Sequence, residues 1–455
     1  MIELNFTKHV GDPFIEISRI GVIKFCDKKV VNYRNLKQCI EELFKKYVYK
    51  NAKTLNQIFS DNSKFTHNST AKNLNKRFQN AMEYFEKIMS ENIDGYCVSC
   101  GEEDNLSKVE KMLFPLTSGE KNVNFTSFFS GDILLCKKCA ISLFFLPLVT
   151  KKVACGRAII RSNNDEINEF WVEDCIEEFN NNMLKNKEDI LPNSTINIFE
   201  NFAYDMIERL KDEDLTGDVS FYLFSNVDRN TQVDILNIYK NQISFIKQVA
   251  PLSFKNELPS RQKDEWRYLI FKYASKERKE GTKRVKFEDE IQENTKYIFR
   301  YYNPLIRDFI QGKSILKYLR ESRVSWLLTE IYAKEILKMR EERLKVIKKV
   351  ANGLLKLNNG DDKEFIKKVV FPIEKTKSAN ELRTRLREFM RKLLAMPDKP
   401  KLFSADEMVF YILPSGENWQ ETKDILLIAL YEHLSFDEEI ERELETIEGV
   451  EDEIQ

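Results

Sequence analysis

Two Cys-x-x-Cys pairs constrain this chain more than any other feature of its sequence. Cys97 and Cys100 form the first pair, and Cys136 and Cys139 form the second, with 35 residues between the pairs. Two thiolates three positions apart on a tight turn supply half of a tetrahedral sulfur cage, and a second such turn closes it. The spacing predicts one zinc ion per chain, held in a zinc ribbon. Its loop carries an insertion, because the usual loop has about 15–20 residues.

Alternatives to zinc are a degenerate ribbon without metal and a chance pairing of cysteines. A redox pair is disfavoured because two such pairs are present. A closed Cys₄ site has no open coordination position, so the predicted role of the metal is structural rather than catalytic. The other cysteines are predicted to be small buried side chains. They are Cys26, Cys39, Cys155 and Cys175.

Glycine and proline are unusually rare for a chain of this length. There are 14 Gly and 11 Pro in 455 residues, about half of the average frequency of each. Such a shortage of turn-forming residues argues against a hairpin-rich all-β fold and favours long helices. The predicted fold class is α+β and mainly helical. An N-terminal mixed α/β domain carries the inserted Cys₄ ribbon, and a helical bundle lies at the C-terminus.

Hydrophobic periodicity and charge suggest four regions. They are an N-terminal α+β domain (1–164) with the ribbon module (95–160), a helical and basic middle region (165–328), a C-terminal bundle (329–435) and an acidic tail (436–455). In the first region, short apolar runs predict strands, and a longer amphipathic stretch predicts a helix. The strands are expected at Phe14–Ile17, Gly21–Phe25 and Lys29–Val31, and the helix at about Asn35–Tyr49. Later helices are expected near 166–186, 197–212, 228–248, 339–357, 363–371, 379–394 and 421–433.

The net charge of −1 hides strong local charges. Residues 261–349 contain 24 Lys and Arg against 14 Asp and Glu, whereas residues 436–455 contain ten acidic residues and one Arg. Only the charge within about 10 Å, one Debye length, acts strongly on a phosphate group. The neutral total therefore does not exclude a nucleic-acid-binding protein.

Catalytic and membrane signatures are missing from the sequence. There are three His and no HExxH, GxSxG or GxGxxG motif, so the usual general base is scarce. The chain starts without a secretory signal and has no apolar stretch of the roughly 18–20 residues that span a bilayer. We therefore expect a cytoplasmic binding protein, not an enzyme and not a membrane protein.

Several short motifs occur in a defined order. They are GDPFIEISRIGV (11–22), CVSCG (97–101), FPLTSGEKNVNFTSFF (114–129), LLCKKCAISLFFLPL (134–148), KVACGRAIIRSNN (152–164) and ENWQETKDILLIALYEHL (417–434). Together they resemble the large subunit of type I-B CRISPR surveillance (Cascade) complexes of the Thermotoga–Clostridium-type branch. The resemblance is carried by residues 11–162 and the last helix, while the middle of the chain shares only its helical, basic character.

The resemblance implies a non-catalytic subunit in antiviral defence. Such a subunit works with CRISPR RNA and the other Cascade subunits, recognises the protospacer-adjacent motif (PAM) in duplex DNA and assists unwinding. It also holds the displaced single strand and helps to recruit the helicase-nuclease. The C-terminal bundle resembles the separate small subunit. In related systems that subunit is also made from an internal start, for which Met339 is the candidate here.

Residues for these contacts follow from the chemistry of groove edges and phosphates. Candidates for base contacts, in the ribbon insertion and beside it, are Lys111, Asn122, Asn124, Ser127, Lys137 and Lys138. Candidates for phosphate contacts are Lys151, Lys152, Arg157, Arg161, Lys279, Lys283, Arg284 and Lys286. For the displaced strand they are Arg383, Arg387 and Arg391, which a helix stacks as one stripe. Each of these also fits an ordinary solvated surface charge.

Two other functions fit parts of the sequence. An unrelated zinc-ribbon protein that binds nucleic acid or acts as a scaffold would bind without a guide RNA. A metal-dependent nuclease with clustered acidic residues would cleave DNA in Mg²⁺ or Mn²⁺.

Overall fold

The computed structural model describes residues 3–50, 55–59, 74–103, 105–109, 133–154, 156–225, 232–251, 265–276, 283–284, 299–398, 400–436 and 440. The chain forms two compact units. One comprises Met1–Ile243 and Lys276–Tyr302, and the other comprises Ser244–Ser275 and Asn303–Gln455. The four-region division stays a prediction. The acidic tail lies almost entirely outside the described residues.

The fold class is confirmed, because the chain is mainly helical with small sheets. Helices of the first unit are Pro13–Cys26 (α1), Tyr33–Lys50 (α2), Leu74–Ser90 (α3), Lys137–Ser142 (α4), Asp165–Leu184 (α5) and Phe199–Asp212 (α6). Its strands are Glu3–Asn5 (β1), Val30–Asn32 (β2), Leu106–Val109 (β3), Ile133–Cys136 (β4), Lys151–Val153 (β5), Gly156–Ser162 (β6), Val219–Ser225 (β7) and Gln232–Ile238 (β8). Short 3₁₀ helices are formed by Leu55–Gln57 and Leu143–Val149.

The helix Lys240–Val249 (α7) contains the point in the sequence at which the first unit ends, after Ile243, and the second begins. Helices of the second unit are Glu265–Lys272 (α8), Pro304–Ile310 (α9), Leu316–Glu321 (α10), Trp326–Glu335 (α11), Glu341–Leu355 (α12), Asp362–Phe365 (α13), Phe371–Glu374 (α14), Ala379–Leu394 (α15), Ala405–Glu407 (α16) and Trp419–Tyr431 (α17). Two π-helices are formed by Ile366–Val370 and Met408–Ile412. Short strands are formed by Ser275–Lys276 (β9) and Lys283–Arg284 (β10).

Antiparallel pairing organises the strands of the first unit. The largest sheet has the order β5-β6-β7-β8, with Ile159 opposite Tyr222 and Tyr222 opposite Ile235. The pair β1-β2 joins the N-terminus to the strand that precedes α2, and the pair β3-β4 joins the two cysteine-bearing segments.

The strands predicted at Phe14–Ile17 and Gly21–Phe25 are wrong, since both runs belong to the single helix α1. The carboxylate of Asp12 accepts hydrogen bonds from the backbone N–H groups of Phe14 and Ile15, at 2.9 and 3.0 Å. Pro13 occupies the first turn, where its missing N–H costs nothing. Packing against several elements makes α1 apolar on more than one face, so the sequence lacks the period of a surface helix.

The helix predicted near 228–248 is partly wrong. Residues Gln232–Ile238 form strand β8, and the helix begins only at Lys240. Pairing with β7 along its whole length decides the structure of this segment, and such long-range pairing overrides local propensity. By contrast, the helices predicted near 166–186 and 197–212 are confirmed as α5 and α6.

The helices predicted in the C-terminal region are confirmed as α12, α13 to α14, α15 and α17. Helix α17 is the centre of this bundle, because every residue from Ile425 to Tyr431 is buried. Helices α10, α12, α14 and α15 pack around it. An all-round apolar helix of this kind is stable only when neighbouring helices cover it. Helix α17, the last helix for which the structure gives bounds, therefore organises the second unit.

Candidate metal centre and nucleic-acid contacts

The four predicted metal ligands come together in the first unit. Cys97 and Cys100 lie on the turn before β3, Cys136 ends β4, and Cys139 lies in α4. Their Sγ atoms all lie within 4.8 Å of one another, and the Sγ atoms of Cys100 and Cys136 are 3.6 Å apart. The grouping predicted from the spacing is confirmed.

The geometry of this cluster fits a metal ion. A tetrahedral site with metal–sulfur bonds of about 2.3 Å has sulfur–sulfur edges of about 3.8 Å, close to the separation observed for Cys100 and Cys136. Hydrogen bonds from the thiols of Cys136 and Cys139 hold the pKa of Cys97 far below its usual range. A thiolate, the form that binds metals, is therefore favoured at Cys97. The cluster can hold a metal ion.

Backbone hydrogen bonds shape the first cysteine turn. The N–H of Gly101 donates to the carbonyl of Cys97 at 2.8 Å, and the N–H of Cys97 donates to the carbonyl of Glu102 at 2.9 Å. Gly101 has a φ of +69°, a conformation that favours glycine. The glycine of the CVSCG motif thus allows the chain to reverse tightly behind the two thiols.

Two of the predicted base contacts hold the ribbon itself. The Nζ atom of Lys137, which is only 7% exposed, donates to the carbonyl of Met89 at 2.8 Å and to Oδ1 of Asn92 at 2.9 Å. The Nζ atom of Lys138 binds Oε1 of Glu102 at 2.7 Å. Lys137 therefore ties the second cysteine turn to the end of α3, and Lys138 ties it to the first turn.

Tyr96 and Val98 were missed by sequence reasoning. These neighbours of Cys97 are 65% and 67% exposed. No signal distinguishes them in the sequence, because exposure depends on how the turn is placed. They give the metal centre an apolar outer surface.

Several predicted contacts lie outside the described residues. They are Lys111, Asn122, Asn124, Ser127, Lys279 and Lys286, together with the cysteine Cys155. Lys283 and Arg284 form β10, and only their backbone is described. Of the remaining predicted cysteines, Cys175 is buried, whereas Cys26 and Cys39 are partly exposed.

The predicted phosphate contacts Lys151 and Arg157 lie in the interior of the first unit. The Nζ atom of Lys151 binds Asp174, and it binds Oε2 of Glu178 at 3.0 Å. Arg157 is fully buried and donates to the carbonyl of Pro192 at 2.7 Å. Both side chains thus contribute to packing between the four-stranded sheet and its surroundings.

Arg161 holds the segment that contains the GDPF motif. Its Nη1 atom donates to the carbonyl of Gly11 at 2.7 Å, and its Nη2 atom to that of Val10 at 3.3 Å. Because Asp12 caps α1 and Pro13 starts it, the motif joins β6 to the first helix. The hydrogen bond to Gly11, the helix cap at Asp12 and the helix start at Pro13 give these motif residues a structural role.

Acid should destabilise the first unit through Asp174. Burial opposes its charged form, but hydrogen bonds from Arg209 and Lys151 outweigh burial and hold its pKa below the ordinary value of 3.8. The stabilisation is therefore complete above about pH 4 and is lost as the pH falls through the folded-state pKa. We expect Asp174→Asn to lower the free energy of unfolding at pH 7 by about 2 kcal/mol and to flatten its dependence on acid. Urea unfolding from pH 7 to pH 3 measures both.

Asp212→Asn is the matched control, since Asp212 is 67% exposed and its ion-pair partner among the described residues is its neighbour Lys211. It should leave the unfolding curve unchanged at every pH. Equal curves for Asp174→Asn and the control would contradict the role given to Asp174.

The predicted arginine stripe lies on the solvent side of α15. Arg387 and Arg391 are exposed and Arg383 is half-buried, while the opposite face of the helix is buried. That face is formed by Leu382, Leu386, Phe389 and Leu393. The stripe therefore presents its charge to solvent, as a backbone-binding surface requires.

The predicted phosphate contact Lys152 lies in β5 of the first unit, and its side chain is half-buried.

Comparison with known families gives one finding. Residues 322–455 match the family model of the DevT C-terminal domain. This match begins directly after α10 and includes α11 to α17 of the second unit. Curated proteins and solved structures give no match to the chain. Among the described residues, no helix has the length and apolar character needed to cross a membrane.

Proposed function

We propose that this chain is the non-catalytic large subunit of a type I-B CRISPR surveillance complex. The observation that carries the proposal is the match of residues 322–455 to the DevT C-terminal domain, since DevT is a family of the type I-B large-subunit class. At the other end of the chain, the ordered motifs and the assembled Cys₄ cluster support the same assignment.

Zinc is the metal that we propose for the cysteine cluster. Four thiolates form a soft, tetrahedral donor set, which suits zinc and leaves no position open for a substrate. Cys97, Cys100, Cys136 and Cys139 would hold the ion. Its contribution is structural, and the protein supplies no catalytic group through it.

The ribbon supports the proposed role in PAM recognition. Val109 at the end of β3 pairs with Ile133 at the start of β4, so both ends of the insertion are joined at one place in the ribbon. The predicted base contacts Lys111, Asn122 and Asn124 belong to that insertion. In such complexes base pairing with the guide reads the target, and the protein reads only the short PAM.

The second unit supports a role with the displaced strand. The solvent-facing stripe Arg383, Arg387 and Arg391 on α15 is suited to phosphate contacts. Met339 stands two residues before α12 begins, so an internal start there would give a small subunit made of α12 to α17. The partners in this proposal are CRISPR RNA, target duplex DNA, the other Cascade subunits and the helicase-nuclease.

Co-expression with a CRISPR array and the neighbouring subunits tests the proposal. We expect purification through this chain to recover RNA of one uniform length, because the guide is part of the assembled complex. A matched array with a scrambled repeat is the control and should give no such RNA. Duplex DNA bound by a preparation that yields no RNA of uniform length would instead indicate an unrelated ribbon protein, and cleavage in Mg²⁺ or Mn²⁺ would indicate a nuclease.

A further inference from the structure

A lysine-lined groove lies in the second unit, between α12 and the segment Pro400–Leu402. Its volume is about 470 Å³. None of the residues that line it is acidic, and half of them are lysines. They are Lys345, Lys348, Lys349, Lys356 and Lys401. The groove is therefore a concentration of positive charge that the predicted arginine stripe does not include.

The shape of the groove depends on a glycine in α12. A Cβ atom at Gly353 would lie 2.6 Å from Cδ1 of Leu402, which is too close for ordinary packing. Without that atom, Leu402 approaches the helix, where Leu402 and Leu393 are buried beneath the groove, and the half-buried Pro400 gives the groove an apolar wall. The groove thus combines an apolar surface with charged walls.

The lysines of α12 follow one side of the helix. Lys345, Lys349 and Lys356 are four and seven residues apart, so they share a face. With a rise of 1.5 Å per residue, they extend over about 16 Å. This row of charges has the length of several backbone phosphates rather than of one small anion.

Neighbouring carboxylates neutralise only part of this charge. Lys349 binds Glu407 at 2.7 Å and Lys345 binds Glu341 at 2.7 Å. Exposed ion pairs of this kind contribute little stability, so a phosphate can compete with the carboxylates for these lysines. Lys348 lies 4.9 Å from the centre of the Trp326 ring. Lys356 and Lys401 are both exposed. The groove therefore keeps an excess of positive charge for a polyanion.

We infer that this groove binds the sugar-phosphate backbone of single-stranded nucleic acid. Lysine ammonium groups contact phosphates, and the apolar wall suits sugars and base faces. A volume of about 470 Å³ admits parts of one strand, whereas a duplex is far too wide. The inference rests on the proposed function only for the identity of the strand, which would be the one displaced from the target duplex.

The test is the salt dependence of binding by the full chain. Fluorescence anisotropy measures the affinity for a labelled single strand of mixed sequence, about 20 nucleotides long. The variant Lys345→Ala/Lys356→Ala/Lys401→Ala removes three lysines that do not pack in the core. We expect its slope of log affinity against log salt to fall by about 2, since each single-strand phosphate contact contributes about 0.7. Between about 50 and 200 mM salt, the unsubstituted chain should then lose about 20-fold more affinity than the variant.

The matched control is Lys313→Ala/Lys375→Ala/Lys377→Ala, which removes three exposed lysines of the same unit outside the groove lining. It should keep the slope of the unsubstituted chain. Thermal unfolding by circular dichroism verifies that both variants are folded. Equal slopes for the two triple variants would overturn the inference. So would a groove variant that binds DNA normally but loses an acidic peptide, because the partner would then be a protein.

The result of the groove experiment can be distinguished from the result of the guide-RNA experiment that tests the proposed function. Loss of single-strand binding in the groove variant supports the groove even when no guide RNA co-purifies. Conversely, recovery of uniform RNA together with unchanged single-strand binding refutes the groove and leaves the CRISPR assignment intact.

Discussion

Replacing Cys97 by Ser is expected to abolish metal binding and to unfold the ribbon. The Cys97 side chain is 2% exposed and belongs to a cluster whose four sulfur atoms lie within 4.8 Å. A serine oxygen is a poor substitute for a thiolate ligand, and structural zinc supplies roughly 10–16 kcal/mol of folding free energy in small zinc modules. Zinc should fall from about one ion per chain to less than about a tenth. Metal analysis of the purified protein and limited proteolysis measure these changes.

Cys26→Ser is the control for this experiment. Cys26 ends α1 and is not among the four clustered cysteines, so its replacement should leave the zinc content at about one per chain. The first unit as a whole should remain folded in Cys97→Ser, because the buried apolar residues of α1, α5 and β6 do not depend on the metal. Full zinc content in Cys97→Ser would exclude Cys97 as a ligand.

Replacing Arg320 by Met is expected to destabilise the second unit by about 3–5 kcal/mol. The Arg320 guanidinium is 6% exposed and lies 2.7 Å from Oδ1 of Asp424 and 3.6 Å from Oε1 of the fully buried Glu374. Methionine keeps most of the volume but removes the charge, so both carboxylates lose their common cation. Such a loss is costly because a buried charge cannot be solvated by water. Urea unfolding monitored by circular dichroism measures the change.

Two further variants make this prediction specific. Arg387→Met removes an exposed arginine of α15 and should change stability by less than about 0.5 kcal/mol. Glu374→Gln combined with Arg320→Met removes one of the buried carboxylates and should recover part of the loss, since neighbouring sites are not additive. Equal stability of Arg320→Met and Arg387→Met would contradict the importance of the buried cluster.

Local patterns predicted the parts of the structure that depend on local chemistry. The spacing of Cys97, Cys100, Cys136 and Cys139 was sufficient because two thiols three positions apart on one short turn already form half of the cluster. Helix α15 was predicted at its observed bounds because its apolar residues follow one face. Elements of this kind can be predicted from the residues that form them.

Features that depend on distant residues could not be predicted in this way. The sequence of helix α1 has the apolar pattern of two strands, because several elements pack against the helix and bury more than one of its faces. The groove joins Lys401 to lysines of α12 more than forty residues earlier, and no local pattern indicates that meeting. Lys151 and Arg157 were predicted as phosphate contacts from their charge, but burial against residues far along the chain determines their partners.

The pairing of Val109 with Ile133 makes the segment between them an exchangeable cassette. Both ends of this segment leave the ribbon at one rung of a two-stranded ladder, next to the Cys₄ cluster. Doubling the length of a loop that is closed in this way costs only about 0.6 kcal/mol. A change in the length of this segment is therefore expected to leave the two flanking strands paired. Under the proposed function, the recognised DNA motif can diverge between immune systems while the zinc ribbon that carries the cassette stays the same.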